Sequence, residues 1–203
     1  MNSYASFLGL AGTVIGMIRA LPQLIRLLRA RGAYGVSLDS AATSSIVSFG
    51  WAAYGLLTNQ LYVTLATGSS GLIFALIGLF AVRFGRSVSE LRVAPFWFIV
   101  LLLAGLFAGK TGLGVMLPIS VLAANTPQLW VAYKEGNLTD LSLGTWALSI
   151  SDGLVWGAYA LLQHDISIMI FAIFQLTTSG LIVLLKFLHL ADTKHARMDE
   201  TTS

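Results

Sequence analysis

The sequence predicts an all-α integral membrane protein with seven transmembrane helices, arranged as a 3+1+3 parallel repeat of three-helix bundles. Composition is the first observation, since 56% of the residues are hydrophobic and only 10% are charged. A soluble domain would carry roughly 25% charged residues. The second observation is that the apolar residues form runs of about 20 residues, long enough to cross a hydrocarbon core as helices. The third is a Pro-Gln-Leu motif that occurs twice inside such runs, at residues 22–24 and 127–129.

Composition also excludes several classes of protein and site. The chain has no cysteine, so disulfides and thiolate metal sites are excluded. The net charge of +3 comes from the flanks of the apolar runs and gives no reason to expect a nucleic-acid partner. No basic segment precedes the first run, so we expect no cleaved signal peptide. No histidine pair has ligand spacing and no catalytic signature is found; we therefore expect no enzyme, no metal and no cofactor.

Seven spans can be delimited, separated by short connections in which Gly, Asn, Asp and Ser are frequent. The predicted spans are Tyr4 to Leu28, Ala41 to Leu57, Leu61 to Val82, Pro95 to Ala108, Gly112 to Tyr133, Ser142 to Leu162 and Ile166 to Leu190. They divide the chain into a first three-helix repeat (1–84), a linker with the connecting fourth helix (85–111), a second three-helix repeat (112–190) and a polar cytoplasmic tail (191–203).

Basic residues indicate the orientation, because Lys and Arg concentrate on the cytoplasmic flanks of transmembrane helices. Lys110 alone falls on the other side. The basic residues that end or follow the first, third, fifth and seventh spans include Arg26, Arg29, Arg31, Arg83, Arg86, Arg92, Lys134, Lys186, Lys194 and Arg197. The N-terminus is therefore predicted outside and the C-terminus in the cytoplasm, which requires an odd number of spans. We expect the host to be the cell membrane.

The two Pro-Gln motifs also align the halves of the chain. When Pro22 is placed on Pro127 without gaps, Trp51 falls on Trp156 and Tyr54 on Tyr159. About fifteen identities accumulate over some sixty positions, which indicates an internal repeat. Since a single span separates the copies, both run in the same direction across the membrane, and the two bundles are expected to face each other across a central cavity.

Two Pro-Gln motifs, a 3+1+3 layout and a repeated Trp-x-x-Tyr resemble the PQ-loop group, in particular the SWEET sugar transporters. The resemblance covers nearly the whole chain. It implies transport by alternating access, with one central site near mid-membrane and a gate on either side. It also implies that Trp51 and Trp156 stack on the solute, and that Tyr54, Tyr159 and Asp165 form the extracellular gate. Interfacial anchoring or packing is the alternative role for these aromatic residues.

The sequence departs from this family at the expected hydrogen-bonding partners of the tryptophans. The family places an asparagine on the third helix of each repeat, whereas the corresponding neighbourhoods here hold Thr67 and Ala172, with Gln175 one turn beyond. Because a sugar is selected through hydrogen bonds to its hydroxyls, Thr67 and Gln175 are the candidates to supply them. Asn125 is a further candidate for the cavity.

Two charged residues fall inside predicted spans, namely Arg19 and Asp152. A charge at mid-helix costs about 2.5–3.5 kcal/mol on insertion scales, so each is expected to have a partner or a water-filled surrounding. We predict that both face the central cavity, where they could pair across it. A structural ion pair, a contact to the solute, and proton coupling through Asp152 are the three interpretations left open.

The motif prolines are predicted hinges. Proline removes a backbone donor and displaces the carbonyl four residues earlier, which lipid tolerates only where neighbouring groups or water bond the freed atoms. Pro22 and Pro127 would therefore bend matched helices beside the solute path. Gln23 and Gln128 are expected to bond the opened backbone, with a place in the path as the alternative.

These patterns together predict a transporter for a small polar solute, and a sugar moved by facilitated diffusion is favoured. A proton-coupled transporter of an amino acid or other charged solute, as in the cystinosin branch of the same group, is the nearer alternative. A seven-helix receptor that binds a ligand without moving it is the other. The solute and the lipid bilayer are the expected partners, and whether the chain forms a homo-oligomer is left open.

Overall fold

The computed structural model describes residues 3–33, 36–134 and 143–202, without the side chains of 126–128, 130–132, 134, 143, 145 and 189–202. Within these ranges all regular secondary structure is helical, which confirms the predicted all-α class. The α-helices are α1 (Ser3–Ala30), α2 (Leu38–Leu57), α3 (Leu61–Arg83), α4 (Val93–Lys134), α5 (Leu143–Gln163) and α6 (Ile166–Thr202), with a short 3-10 helix at Val88–Glu90.

Helix α4 contains both the predicted fourth and fifth spans. Its helical dihedral angles are interrupted at Gly109, where φ is 54° and ψ is −135°, a combination that a residue with a Cβ rarely adopts. The arms 93–108 and 110–134 fold back on each other. Their close approach is visible at Gly105, where an added Cβ would lie 3.7 Å from the Leu113 side chain. The described residues thus form six helices with one broken member, and the count of seven stays a prediction.

In the described part of the chain, four helical segments are long and apolar enough to cross a membrane, at Ser3–Ala30, Leu61–Arg83, Val93–Asn125 (which includes the break at Gly109) and Ile166–Leu188. Their outer faces carry large apolar side chains that no other part of the described chain covers; Phe107, for example, is 84% exposed. Apolar surface on this scale is typical of a face that contacts lipid. The protein is accordingly a multi-pass integral membrane protein.

The helices group into two halves. In the first half α1 and α2 both pack against α3, and in the second α4 and α5 both pack against α6. The halves meet where α1 contacts α5 and α2 contacts α4. Helix α6 continues to Thr202, beyond the predicted end at Leu190, because the polar tail is rich in residues that favour helix, such as Ala, Lys, Arg, Met and Glu.

The α2–α3 and α5–α6 turns have the same local conformation. Asn59 and His164, which the 105-residue register from Pro22 to Pro127 matches, both adopt left-handed dihedrals with φ of 57° and 54°. In the first turn the Gln60 N–H donates to the Gly55 carbonyl at 2.7 Å, and the register-matched bond from Asp165 to Ala160 is 3.0 Å. We call the end of the molecule formed by these turns the closed end.

The opposite end, formed by the α1–α2 and α3–α4 connections, is termed the basic end. The Arg86 Nε–H joins the two connections by donating to the Val36 carbonyl at 2.8 Å. The Asp39 carboxylate, in the first turn of α2, accepts N–H bonds of 2.9–3.0 Å from residues 92–94 and so caps α4. Burial raises the pKa of Asp39, but these bonds outweigh burial and leave the pKa below its ordinary value of 3.8.

Packing differs between the two ends. Toward the closed end one apolar core includes side chains from both halves, among them Trp51, Leu117 and Trp156. Toward the basic end, a core around Ile77 contains only first-half residues, while Ile182 centres a separate cluster in the second half. Among the described residues, the halves therefore share a core only at the closed end, and a space lies between them toward the basic end.

Candidate functional site

A cavity of about 580 Å³ lies between the halves. Its lining runs from Val63 and Ile168, near the closed end, to Ser40 and Val93, both exposed at the basic end. The volume is within the range of about 300–1,000 Å³ that is usual for small-molecule sites. The residues predicted from the sequence to bind solute all line it, namely Arg19, Trp51, Thr67, Asn125, Asp152, Trp156 and Gln175. Their role in binding stays a prediction.

Trp51 and Trp156 belong to the aromatic part of the cavity wall, which also includes Phe74, Trp97 and Phe171. Trp51 on α2 and Trp156 on α5 are each 7% exposed, so neither faces lipid. Each packs edge-to-face on the tyrosine one turn further along its helix. The ring centroids are 5.6 Å apart for Trp51 and Tyr54 and 5.4 Å apart for Trp156 and Tyr159. Phe171 on α6 packs against Trp51 at 5.4 Å, which fixes that indole from a second direction.

Gly12 on α1 creates the space that Trp156 occupies. A Cβ built on Gly12 would lie 2.7 Å from Cε2 and Cζ2 of the indole, so only glycine lets α1 approach α5 this closely. No pattern in the sequence predicts this contact. The chain contains 20 glycines, and nothing in the sequence distinguishes this one from those that merely allow helices to pack.

Arg19 and Asp152 form an ion pair that joins α1 to α5 and therefore the two halves. The distance from Nη1 to Oδ2 is 3.0 Å. The Asp152 side chain is 6% exposed and that of Arg19 is 39% exposed, so the carboxylate is enclosed while the guanidinium borders the cavity. Trp156, one turn from Asp152, also interacts with the carboxylate.

The predicted gate residues meet at the closed end. The Tyr54 hydroxyl donates to Asp165 at 2.8 Å to Oδ2 and 3.0 Å to Oδ1, and the Gln60 side-chain amide donates to Oδ2. Oδ1 also accepts the Ile168 N–H at 3.0 Å, which caps α6. The contacts connect the first half to the second at this end of the cavity, and the role of these residues as a gate stays a prediction. Tyr159 lies beside them, 1% exposed.

Amide and hydroxyl groups supply the remaining polar lining. The Asn125 amide donates to Thr178 Oγ1 at 2.8 Å and lies 3.4 Å from Gln175 Oε1, so it links α4 to α6. The Thr67 hydroxyl donates to the Val63 carbonyl of its own helix at 2.6 Å. Hydroxyl residues that the sequence analysis missed also line the cavity, namely Ser40, Thr43, Ser44, Ser48, Ser70 and Ser120. Their spacing on α2 places several of them on one helix face, a signal that could have been used.

Pro22, the motif proline whose side chain the structure describes, does not line the cavity. Pro22 and Gln23 are exposed on α1, which continues as one helix from Ser3 to Ala30. Pro127 lies within α4, but the side chains of Pro127 and Gln128 lie outside the described residues. The predicted hinge role of these four residues stays a prediction.

The register that aligns the two Pro-Gln motifs also relates the residues that line the cavity. Seven pairs of register-matched residues contribute both members to the lining. They are Gly16 and Val121, Arg19 and Ala124, Val47 and Asp152, Trp51 and Trp156, Val63 and Ile168, Ala66 and Phe171, and Ser70 and Gln175. The wall is thus similar in position in the two halves, although not in chemistry.

The architecture is similar to that of a eukaryotic SWEET transporter of known structure. The two superpose with a TM-score of 0.71 over 94% of this chain and 100% of that chain. The fold is SWEET-like. At 13% sequence identity, the similarity establishes the fold and nothing finer. No family model matches the chain, and no curated protein is similar to it in sequence.

Proposed function

We propose that this protein is a membrane transporter that moves a small polar solute, with a sugar favoured, by alternating access through the cavity between its halves. The observation that carries the proposal is the position of Trp51 and Trp156, one from each half, on a single cavity. Indole faces pack well on the apolar CH face of a sugar ring, and aromatic contacts contribute about 0.5–1.5 kcal/mol beyond area burial. The SWEET-like fold supports the same function.

The two ends of the cavity suggest which state of the transport cycle this is. Inter-half hydrogen bonds from Tyr54 and Gln60 to Asp165 close one end, and the halves have separate cores toward the other. The open end is the basic end, which the positive-inside rule assigns to the cytoplasm. We infer an inward-facing state in a seven-span 3+1+3 arrangement, with the N-terminus outside. The matched turn conformations at Asn59 and His164 support the repeat.

Proteoliposome counterflow with a panel of sugars and amino acids, at two pH values, tests the proposal. We expect saturable exchange of at least one panel member, and at least about a tenfold loss of exchange in Trp51→Ala and Trp156→Ala, equivalent to ~1.4 kcal/mol. Trp146→Ala is the matched control, since Trp146 is on α5 with Trp156 but packs in the cluster around Ile182. Saturable binding without exchange would instead support the receptor function.

The ion pair favours a second candidate, which is proton-coupled transport of a charged or zwitterionic solute. Arg19 and Asp152 lie 3.0 Å apart beside the cavity, where a carboxylate that gains a proton would release its partner. The Asp152→Asn variant separates the candidates. Unchanged transport with unchanged pH dependence would exclude both proton coupling and a solute contact at Asp152.

A further inference from the structure

Three described residues of the cavity lining carry charge, namely Arg19, Asp39 and Asp152. Asp39 lies near the basic end, and its carboxylate is engaged by the N-terminal N–H groups of α4. These groups carry the positive end of the helix dipole, which offsets the carboxylate charge. Beside the tryptophans, the described lining therefore holds one positive and one negative side chain, with no formal net charge.

The pair has spare hydrogen-bonding capacity toward the cavity. A guanidinium has five N–H donors and an ionised carboxylate has two acceptor oxygens. Arg19 and Asp152 share one contact, from Nη1 to Oδ2 at 3.0 Å, and Trp156 also interacts with the carboxylate, so the spare capacity lies mainly on the guanidinium. Since the Arg19 side chain is 39% exposed and lines the cavity, a solute could bond to the pair without separating it.

The packing of the cavity wall does not itself require charges at these positions. The register partner of Arg19 is Ala124, and that of Asp152 is Val47. Both partners line the same cavity with apolar side chains. Equivalent positions in the other half thus contribute to the wall without any charge, which favours a role in recognition over a role in shaping the wall.

We propose that the Arg19–Asp152 pair is a charge filter, so that the central site accepts solutes of zero net charge and rejects ions of similar size. The inference rests on the proposed transport function and specifies its substrate class. A neutral polyol can accept hydrogen bonds from the free N–H donors of Arg19 while the two side chains stay paired. A zwitterion replaces one ion pair by two, and no charge is left without a partner.

An ion with one net charge cannot bind beside the pair without leaving one charge unbalanced. An anion that bonds to the free donors of Arg19 places two negative charges on one guanidinium, so one of the two charges lacks a counter-charge in an enclosed site, which is unfavourable. A cation that approaches Asp152 meets the guanidinium charge on the cavity side. Like charges brought together in this way suppress the wrong ligand without improving the contacts to the right one.

The test compares three probes with the same ring and different charge, which are glucose, glucosamine as its cation and glucuronate as its anion, in counterflow through the full chain. Wild type is expected to prefer glucose over both ions by about tenfold or more, a ratio equivalent to ~1.4 kcal/mol. Asp152→Asn should shift the preference toward glucuronate, and Arg19→Gln toward glucosamine. The exchanged pair, Arg19→Asp with Asp152→Arg, should restore the preference for glucose. Lys110→Gln removes one exposed charge outside the cavity and should leave all ratios at wild-type values.

Several results would overturn the filter. Wild type that moves an ion as well as glucose would do so, as would variants that lose all three activities by one common factor, the result expected of a merely structural pair. In both cases the transport function would stand. If wild type neither binds nor exchanges any probe or panel member, the proposed function and the filter fail together. If the single variants do not fold, wild type and the exchanged pair still test the charge filter, because each keeps both charges.

Discussion

Replacing Gly12 by alanine is expected to displace the Trp156 indole and to impair transport. The new Cβ would lie 2.7 Å from two indole carbons, whereas carbon atoms in contact prefer about 3.5–4.0 Å. The ring must therefore retreat by about 1 Å, or α1 must separate from α5 by a similar distance. Overpacking of this kind costs roughly 1–3 kcal/mol.

Two measurements follow from this displacement. Thermal unfolding should occur at a lower temperature, by about 2–4 °C for each kcal/mol in a chain of this length. Counterflow should fall as well, because the Trp156 side chain lines the cavity and interacts with Asp152. If the whole of about 1–3 kcal/mol is lost from the free energy of solute binding, the affinity falls by about 5- to 150-fold.

Gly180 on α6 provides the matched control, since no atom lies within 4 Å of a Cβ built there. Gly180→Ala should leave uptake unchanged, and it should keep or raise the unfolding temperature because alanine favours helix by about 1 kcal/mol over glycine. The reasoning is refuted if Gly12→Ala and Gly180→Ala behave alike in both measurements.

Three further predictions concern the two ends of the molecule. Tyr54→Phe removes a hydrogen bond to the Asp165 carboxylate, a type worth about 1.5–3 kcal/mol. A thiol introduced by Val63→Cys in this cysteine-free chain should therefore react faster with an external reagent. An unchanged reaction rate would exclude Tyr54 from the gate. Asp39→Ala removes the cap of α4 and should cost about 1 kcal/mol. Because the folded-state pKa of Asp39 is lowered, this stabilisation is present above the ordinary carboxyl pKa and is lost as pH falls through the folded-state pKa. The difference in unfolding temperature between wild type and Asp39→Ala should therefore be larger at neutral pH than at acidic pH. Gly85→Ala should destabilise by roughly 1 kcal/mol, since φ there is 105° and suits glycine; an unchanged unfolding temperature would contradict this.

Helix positions were the most predictable feature of the fold. The second and third spans were predicted to end and begin at Leu57 and Leu61, and the structure has the same bounds. Apolar runs of bilayer length identify transmembrane helices because lipid leaves every backbone group to be bonded within the helix. The break at Gly109 was harder to predict from the sequence, since a glycine in an apolar run is equally compatible with an unbroken helix.

The candidate site was predictable at residues whose insertion into a membrane span is energetically unfavourable. Arg19 and Asp152 are charges inside apolar spans, and such residues require a partner. The structure brings them to 3.0 Å although 133 residues separate them in sequence. Trp51 and Trp156 were found through the repeat, which selects two of the five tryptophans by register and not by composition.

Features that depend on two distant surfaces were missed. The contact between Gly12 and Trp156 requires the distance between α1 and α5, and no local pattern encodes it. The cap that Asp39 provides for α4 was missed for the same reason, because its bonds reach residues 92–94 on a different helix. Asp39 reads from the sequence only as an acidic residue in the first turn of its own helix.

The two halves agree in backbone geometry and differ in the chemistry of the cavity wall. The turns at Asn59 and His164 have matching left-handed φ values of 57° and 54°. Inside the cavity, the positions occupied by Arg19 and Asp152 are matched by apolar residues. A solute turned half a revolution about the axis relating the halves would meet the charged pair with a different part of its surface. We therefore expect a single bound orientation, selected by the pair, in a site where the two tryptophans are the matched aromatic residues of the described lining.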